Sequence, residues 1–317
     1  MRILITGVHG FVGSNLVEAL KNEHEIYGLD IVSRHKAGLV KTFSWEELDH
    51  GSLPEVDAII HLAGKAHDTK NKSEADVYFK VNTDLTKKIF DYFSSHKGIK
   101  RFIFFSSVKA AVDKVEGDIL TEEVVPCPVG PYGESKVQAE NHILQKLSAA
   151  SELYAGRSVV IMRPCMIHGP GNKGNLNLLY SVVAKGIPWP LGAYENKRSF
   201  TSIDNLSFVI SKILSQFIPS GIYNMADDEA LSTNELIRII CYALGRKAHI
   251  LKINKALIAG MVKLGDLTHL PLNTFRLNKL TENYVVSNEK IKSALNIKQM
   301  PVRANEGLSR TIKSFQH

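Results

Sequence analysis

The chain has 317 residues, 44% of them hydrophobic, enough for a sizeable core and slightly more than one core ordinarily uses. Its net charge of +7 is spread out, with no run of five or more like charges (Lys70 and Lys72 flank Asn71), so neither a basic arm nor nucleic-acid binding is expected. Three widely spaced cysteines, Cys127, Cys165 and Cys241, form no metal-ligand pattern and no paired disulfide framework, which points to a reducing compartment.

Met1-Arg2-Ile3-Leu4-Ile5 enters a strand directly and lacks the pattern of a secretory leader. No stretch approaches the roughly 18 apolar residues of a membrane span, so a cytoplasmic protein without membrane insertion is expected.

Strands and helices then alternate. Arg2–Thr6 reads as a strand. Gly10–Lys21 reads as a helix, with Phe11, Leu16, Val17 and Leu20 on one face. Glu25–Asp30 and Asp57–Ala63 are strands, the latter a continuous apolar run suited to burial on both sides. Ala75–Ser95 is a long helix, Arg101–Ser107 a strand, Tyr132–Ala149 a helix and Ser158–Arg163 a strand. This alternation predicts an α/β doubly wound parallel sheet.

After Pro164 the texture changes. Residues 169–175 are dense in turn formers. Leu176–Lys185 and Thr233–Gly245 have helical spacing, the second capped by Ser232 or Thr233. Gly221–Met225 reads as a strand returning to the main sheet. The expected division is therefore residues 1–164, completed by that returning strand, and a smaller mixed α/β lobe over residues 165–317.

Thr6-Gly7-Val8-His9-Gly10-Phe11-Val12-Gly13 lies between the first strand and the first helix. Glycines there permit a tight turn, close approach of a pyrophosphate and close helix–sheet packing, and the helix N-terminus offers N–H groups to phosphates. Asp30, ending the second strand, suits the adenosine ribose hydroxyls and would repel a 2′-phosphate, favouring NAD over NADP. Arg34 close by is the residue type that accommodates the extra phosphate. His61-Leu62-Ala63-Gly64 places small residues at the end of a buried strand, where a cofactor needs room.

Tyr132 and Lys136 stand four apart and share a helical face. A tyrosine hydroxyl ordinarily titrates near 10, and a neighbouring ammonium favours the phenolate. Such a group can take a proton from a hydroxyl as hydride leaves the same carbon. Ser106-Ser107 ends the strand upstream, so Ser107 would reach the crevice at the carboxyl ends of the strands, where α/β sheets bind ligands.

These motifs, together with Phe-x-Ser-Ser and Arg163-Pro164, occur in an order and spacing that resembles the extended short-chain dehydrogenases. More narrowly, the chain looks like the NAD-dependent epimerase/dehydratase family, whose type member is UDP-glucose 4-epimerase. The resemblance implies a Rossmann domain holding NAD, a C-terminal lobe for a nucleotide sugar, most readily a UDP-sugar, and no metal. It implies Ser107, Tyr132 and Lys136 as the catalytic set. It implies cofactor contacts from Gly7, Gly10, Phe11, Val12, Gly13, Asp30, Leu62, Ala63, Gly64, Asn82, Tyr132, Lys136 and Pro164. It implies sugar-nucleotide contacts from Lys65, Ser107, Asn175 and Arg198, the last as a diphosphate clamp. It also implies a homodimer pairing the helices Ala75–Ser95 and Tyr132–Ala149.

The departures bear on the substrate. Val108-Lys109-Ala110-Ala111 replaces the Val-Tyr-Gly that usually follows the strand serine. His168-Gly169-Pro170-Gly171 replaces Tyr-Gly-Pro-Gly, and the late arginine–proline–glycine–aspartate segment is absent, with Arg276 a weak substitute. The acid–base pair of sugar 4,6-dehydratases is missing, since valine cannot move a proton. The expected reaction is 4-epimerisation through a transient 4-keto sugar. Reduction of a 4-keto-6-deoxy sugar for polysaccharide synthesis is the alternative, and an NAD-binding scaffold without turnover is the alternative of another kind. Cys165 and His168 fall near the expected site as packing residues or substrate contacts.

Overall fold

A computed structural model describes residues 1–65, 74–172, 174–268 and 274–316. Lys70, Lys72 and Lys173 fall outside the described residues, as does the side chain of Arg276.

Among the described residues there are nine strands: β1 (Arg2–Thr6), β2 (Glu25–Leu29), β3 (Lys41–Phe43), β4 (Ala58–His61), β5 (Arg101–Phe105), β6 (Ser158–Pro164), β7 (Met166–His168), β8 (Phe200–Ser202) and β9 (Gly221–Met225). Seven of them form one parallel sheet in the order β3-β2-β1-β4-β5-β6-β9. The doubly wound sheet expected from the alternation is present, including the returning strand, which pairs with β6 from Val160–Gly221 to Pro164–Met225. Strand order reverses between β1 and β4, and a crevice at the carboxyl ends opens there.

Strand residues alternate between the two faces. Ile3, Ile5, Ile60 and Ile103 bury with Leu16, Val17 and the helix Ile203–Ser215 on one side. Leu4, Ile59, Phe102 and Phe104 bury with Phe90, Phe93, Ala139 and Ile143 on the other. A separate cluster built from Trp189, Leu191, Ile237, Ile240, Ile258 and Val262 lies wholly after residue 164.

Two features depart from the sequence reading. Strands β3, β7 and β8 have three residues each, too short for an alternation to be seen. The expected single helix over 75–95 is an α-turn at Ala75–Tyr78, a wider π-turn at Phe79–Asp84 and an α-helix at Leu85–Ser95. The widened turn carries both Asn82 and Thr83 onto the helix Pro131–Ala149. There Asn82 donates to Ser135 Oγ at 3.0 Å, and Thr83 donates to the Ser135 carbonyl at 2.8 Å. Insertions of this kind recur at functional sites.

Candidate active site

The glycine-rich turn is built for close approach. Gly7 has φ +66°, and a Cβ on it would lie 2.9 Å from the backbone of Ala63. A Cβ on Gly13 would lie 2.6 Å from the Gly7 carbonyl. Gly10 instead precedes the helix Phe11–Leu20 with no side-chain cap, leaving the amides of its first turn, which include Phe11, Val12 and Gly13, to an outside acceptor. Asn15 donates to the Pro170 carbonyl at 3.1 Å, which draws the loop before Asn175 over this helix start.

Asp30 follows β2. Its Oδ2 accepts from the His9 amide at 3.0 Å and its Oδ1 from the Ile31 amide at 2.7 Å. Oδ1 also accepts from the Val32 amide at 3.4 Å, so it is Oδ2 that keeps a lone pair for a ribose hydroxyl. The bare helix start, the near-closed Gly7–Ala63 crossing and this carboxylate together fit a dinucleotide.

Thr6 and His61 fix the opposite wall. Thr86 Oγ1 donates to the Asn82 carbonyl at 2.6 Å and so accepts from His61 Nε2 at 2.9 Å. His61 Nδ1 then accepts from Thr6 Oγ1 at 2.7 Å, and Thr6 Oγ1 accepts the amides of Leu62 and Ala63 at 3.1 and 3.0 Å. Every partner is used with the imidazole neutral. Burial, with Lys136 adding a smaller push, lowers the His61 pKa to about 3.

At the carboxyl end of β5, Ser107 caps a one-turn helix, Val108–Ala111, accepting from the Lys109 amide at 3.2 Å. Its hydroxyl also lies close enough to the phenol of Tyr132, in the first turn of Pro131–Ala149, to favour the phenolate. Gly133 makes this approach possible, because a Cβ there would meet the Lys109 carbonyl at 2.5 Å. Burial raises the Tyr132 phenol above its ordinary value, and the Ser107 hydroxyl acts in the opposite direction. The sequence reading expects Lys136 to do that. Here the Lys136 ammonium donates instead to the Phe105 carbonyl at 2.8 Å, over the Phe104 ring, and burial lowers its pKa to about 8.

The structure brings further expected residues to this end of the sheet. A Cβ on Gly64 would stand 3.1 Å from Lys136 Nζ and 2.9 Å from Asn82 Oδ1. Asn82 is fully buried, accepts the Lys65 amide at 2.7 Å and donates to the Lys65 carbonyl at 3.2 Å. Lys65 Nζ lies 6.0 Å from the Tyr78 ring, whose edge meets Tyr132 with centroids 6.2 Å apart. Pro164 ends β6 in the buried sheet.

The substrate-side residues are less convergent. Asn175 is exposed at the start of the helix Asn175–Ala184. Arg198 donates to the Lys279 carbonyl and stands 4.0 Å from Glu282, so its guanidinium is already engaged within the lobe. Its charge still reaches Cys165, just past β6. Cys165 is buried, and burial raises its thiol pKa. His168 is fully buried, bonds Thr311 Oγ1 at 2.9 Å and lies 3.6 Å from Asp227.

Three residues went unremarked in the sequence. Tyr78 sits four before Asn82, and that helical spacing was the available signal. Gly133 hides inside the Tyr-x-x-x-Lys motif. Glu140, one turn past Lys136, is buried and binds Arg163 through Nε at 2.9 Å and Nη2 at 2.5 Å, while Ser106 donates to it as well. Among the described residues no group of three metal-ligating side chains occurs, and no helix is long and apolar enough to cross a membrane.

Residues 3–226 match the model of the NAD dependent epimerase/dehydratase family. The chain belongs to that family. This epimerase-family chain is 32% identical over 260 residues to a UDP-glucose 4-epimerase of Vibrio cholerae, covering 77% of this chain and 76% of the relative. It is 29% identical over 253 residues to an N-acetyl-α-D-glucosaminyl-diphospho-ditrans,octacis-undecaprenol 4-epimerase of Escherichia coli O157:H7, covering 77% and 73%. In fold it resembles a UDP-N-acetylglucosamine 4-epimerase from Bacillus cereus, with a TM-score of 0.77 at 20% identity over 100% of both chains. It also resembles MoeE5 in complex with UDP-glucuronic acid and NAD, with a TM-score of 0.76 at 20% identity, covering 100% of this chain and 99% of that one. As a member of this family the chain is an NAD-dependent enzyme.

Proposed function

We propose that this enzyme interconverts the C4 epimers of a UDP-hexose or UDP-N-acetylhexosamine through a transient 4-keto sugar, in the cytoplasm and as a homodimer. The observation that carries the reading is the placement of Ser107 and Tyr132 beside Lys136, at the carboxyl ends of the strands that flank the crevice.

Bound NAD supplies the chemistry of accepting and returning the hydride of sugar carbon 4. The remaining steps belong to the chain. Tyr132 Oη removes the proton of the sugar 4-hydroxyl, and Ser107 Oγ holds that oxygen in line. Lys136, released from the Phe105 carbonyl, holds the nicotinamide ribose and favours the phenolate through its charge. Lys65, Asn175 and Arg198 bind the sugar diphosphate, with Arg198 exchanging the Lys279 carbonyl for phosphate oxygens. Residues 1–164 with β9 serve the cofactor, and the remainder of 165–317 serves the sugar nucleotide. Val108 is buried and Lys109 is paired with Asp113 at 2.9 Å, so neither supplies the acid and base of a 4,6-dehydratase.

The test is turnover of UDP-glucose to UDP-galactose by the purified chain with no cofactor added. Epimerisation without net change in NADH is expected, and Tyr132→Phe lowers kcat by about 10²–10⁴ while NAD stays bound. Stoichiometric consumption of NADH with a 4-keto-6-deoxy sugar nucleotide would make the enzyme a reductase. Absence of any turnover, with Tyr132→Phe binding NAD equally, would make it a scaffold. A monomer in light scattering would remove the dimer.

A further inference from the structure

The helix Lys255–Thr268 is oriented unusually. Ile258 and Val262 point into the cluster beneath it. On the opposite side Leu257, Met261 and Leu264 recur at helical spacing and are 65%, 57% and 57% exposed. Ala256 and Gly260 fill the rest of that face without a charge, and the space beside Gly260 is open.

The apolar surface continues onto neighbouring segments. Leu251, just before the helix, and Ile187 are both exposed, on either side of the pairing of Trp189 with Ile250. Arg246 donates to the Ala184 carbonyl at 2.8 Å, which ties this region to the helix Asn175–Ala184. That helix turns Leu178 and Val182 outward.

Charge is distributed as unevenly as apolarity. Lys185, Arg246, Lys247, Lys252, Lys255 and Lys263 are exposed on these segments, and Asp266 is the single acid across residues 175–192 and 246–268. A second copy set against this face by a two-fold axis would bring the cations of one molecule against those of the other. An anionic surface meets the same residues with attraction. An apolar stripe flanked by lysines, on a helix too short to span a bilayer, is the pattern of a helix lying in the headgroup plane.

We propose that this face docks the enzyme on an anionic lipid bilayer, with Leu257, Met261 and Leu264 inserted among the headgroups. The helix that begins at Asn175 also carries Leu178 and Val182, so docking sets that helix beside the membrane.

Sedimentation with extruded vesicles tests this independently of the reaction. Wild-type chain is expected to pellet with vesicles of equal parts phosphatidylcholine and phosphatidylglycerol, more weakly as salt is added, and to remain in the supernatant with phosphatidylcholine alone. Leu257→Glu/Met261→Glu is expected to weaken pelleting at least about tenfold. Because these side chains face solvent, bound NAD and the far-ultraviolet circular dichroism are expected to be unchanged. Lys252→Glu/Lys263→Glu, which leaves the apolar stripe intact, is expected to abolish the preference for the anionic lipid. Failure of the wild type to pellet with the anionic vesicles overturns the proposal, as does undiminished pelleting of Leu257→Glu/Met261→Glu. Conversion of a wild-type dimer to a monomer by that variant, with no vesicle binding, assigns the face to a second copy instead.

Discussion

Glu140 and Arg163 form a buried ion pair that joins the helix carrying Tyr132 and Lys136 to β6, and Ser106 ties the same carboxylate to β5. Taking two charges out of water is costly, and the pair is held by two guanidinium–carboxylate hydrogen bonds and by Ser106 on the carboxylate. Removing one partner strands the other. Glu140→Gln is therefore expected to lower unfolding free energy by about 3–5 kcal/mol in urea titrations, with Glu140→Leu/Arg163→Met recovering most of the loss. A cost under about 1 kcal/mol for the single variant would show that the pair is solvated. Arg163 was visible in the sequence as part of Arg163-Pro164, but its role was not. An arginine in an apolar run says that a partner must exist, not which acid supplies it. Asp30, Ser107 and Tyr132 were legible because each belongs to a motif with fixed spacing beside a strand end.

At the scale of elements, two short pieces set the reacting groups. The one-turn helix Val108–Ala111 fixes Ser107, and Gly133 lets the helix Pro131–Ala149 rest on it. Adding a methyl group at residue 133 drives it into the Lys109 carbonyl, so one of the two elements must move. Gly133→Ala is expected to reduce turnover by at least about tenfold, since an ångström of misplacement is costly. NAD retention is expected to survive, because the glycine-rich turn is untouched. Equal activity in the variant would show that the contact relaxes freely. Periodicity located the helices Phe11–Leu20, Pro131–Ala149, Asn175–Ala184 and Thr233–Ala243 and the longer strands of the main sheet within about two residues, but not the helices Ile203–Ser215 and Lys255–Thr268. It missed the π-turn at Phe79–Asp84, whose extra residue is dictated by what Asn82 and Thr83 bond, an influence that lies in another part of the chain.

For the whole molecule, His61 makes the fold sensitive to acid. Its folded pKa of about 3 lies below the unfolded value near 6.5. Between those limits the unfolded chain takes up a proton that the folded chain refuses, so stability falls as pH drops through that window. The slope from this one group reaches about 1.4 kcal/mol per pH unit. Urea unfolding of the cofactor-free chain from about pH 7 to about pH 4 is expected to be flatter in His61→Asn, and an unchanged slope would assign acid lability elsewhere.

The sheet's last strand also has a consequence for how the protein can be divided. β9 reaches its place beside β6 only after the chain has passed through β7, β8 and the helix Ile203–Ser215. The nucleotide fold therefore has no severable C-terminus at Pro164, because one of its two edge strands is supplied by the portion a cut would discard. A fragment of residues 1–164 would bare the flank of β6 as a template for foreign strands, and it is expected to form inclusion bodies when expressed alone. Supplying residues 165–317 in the same cell is expected to return part of it to solution. A soluble, NAD-binding fragment would mean that six strands suffice.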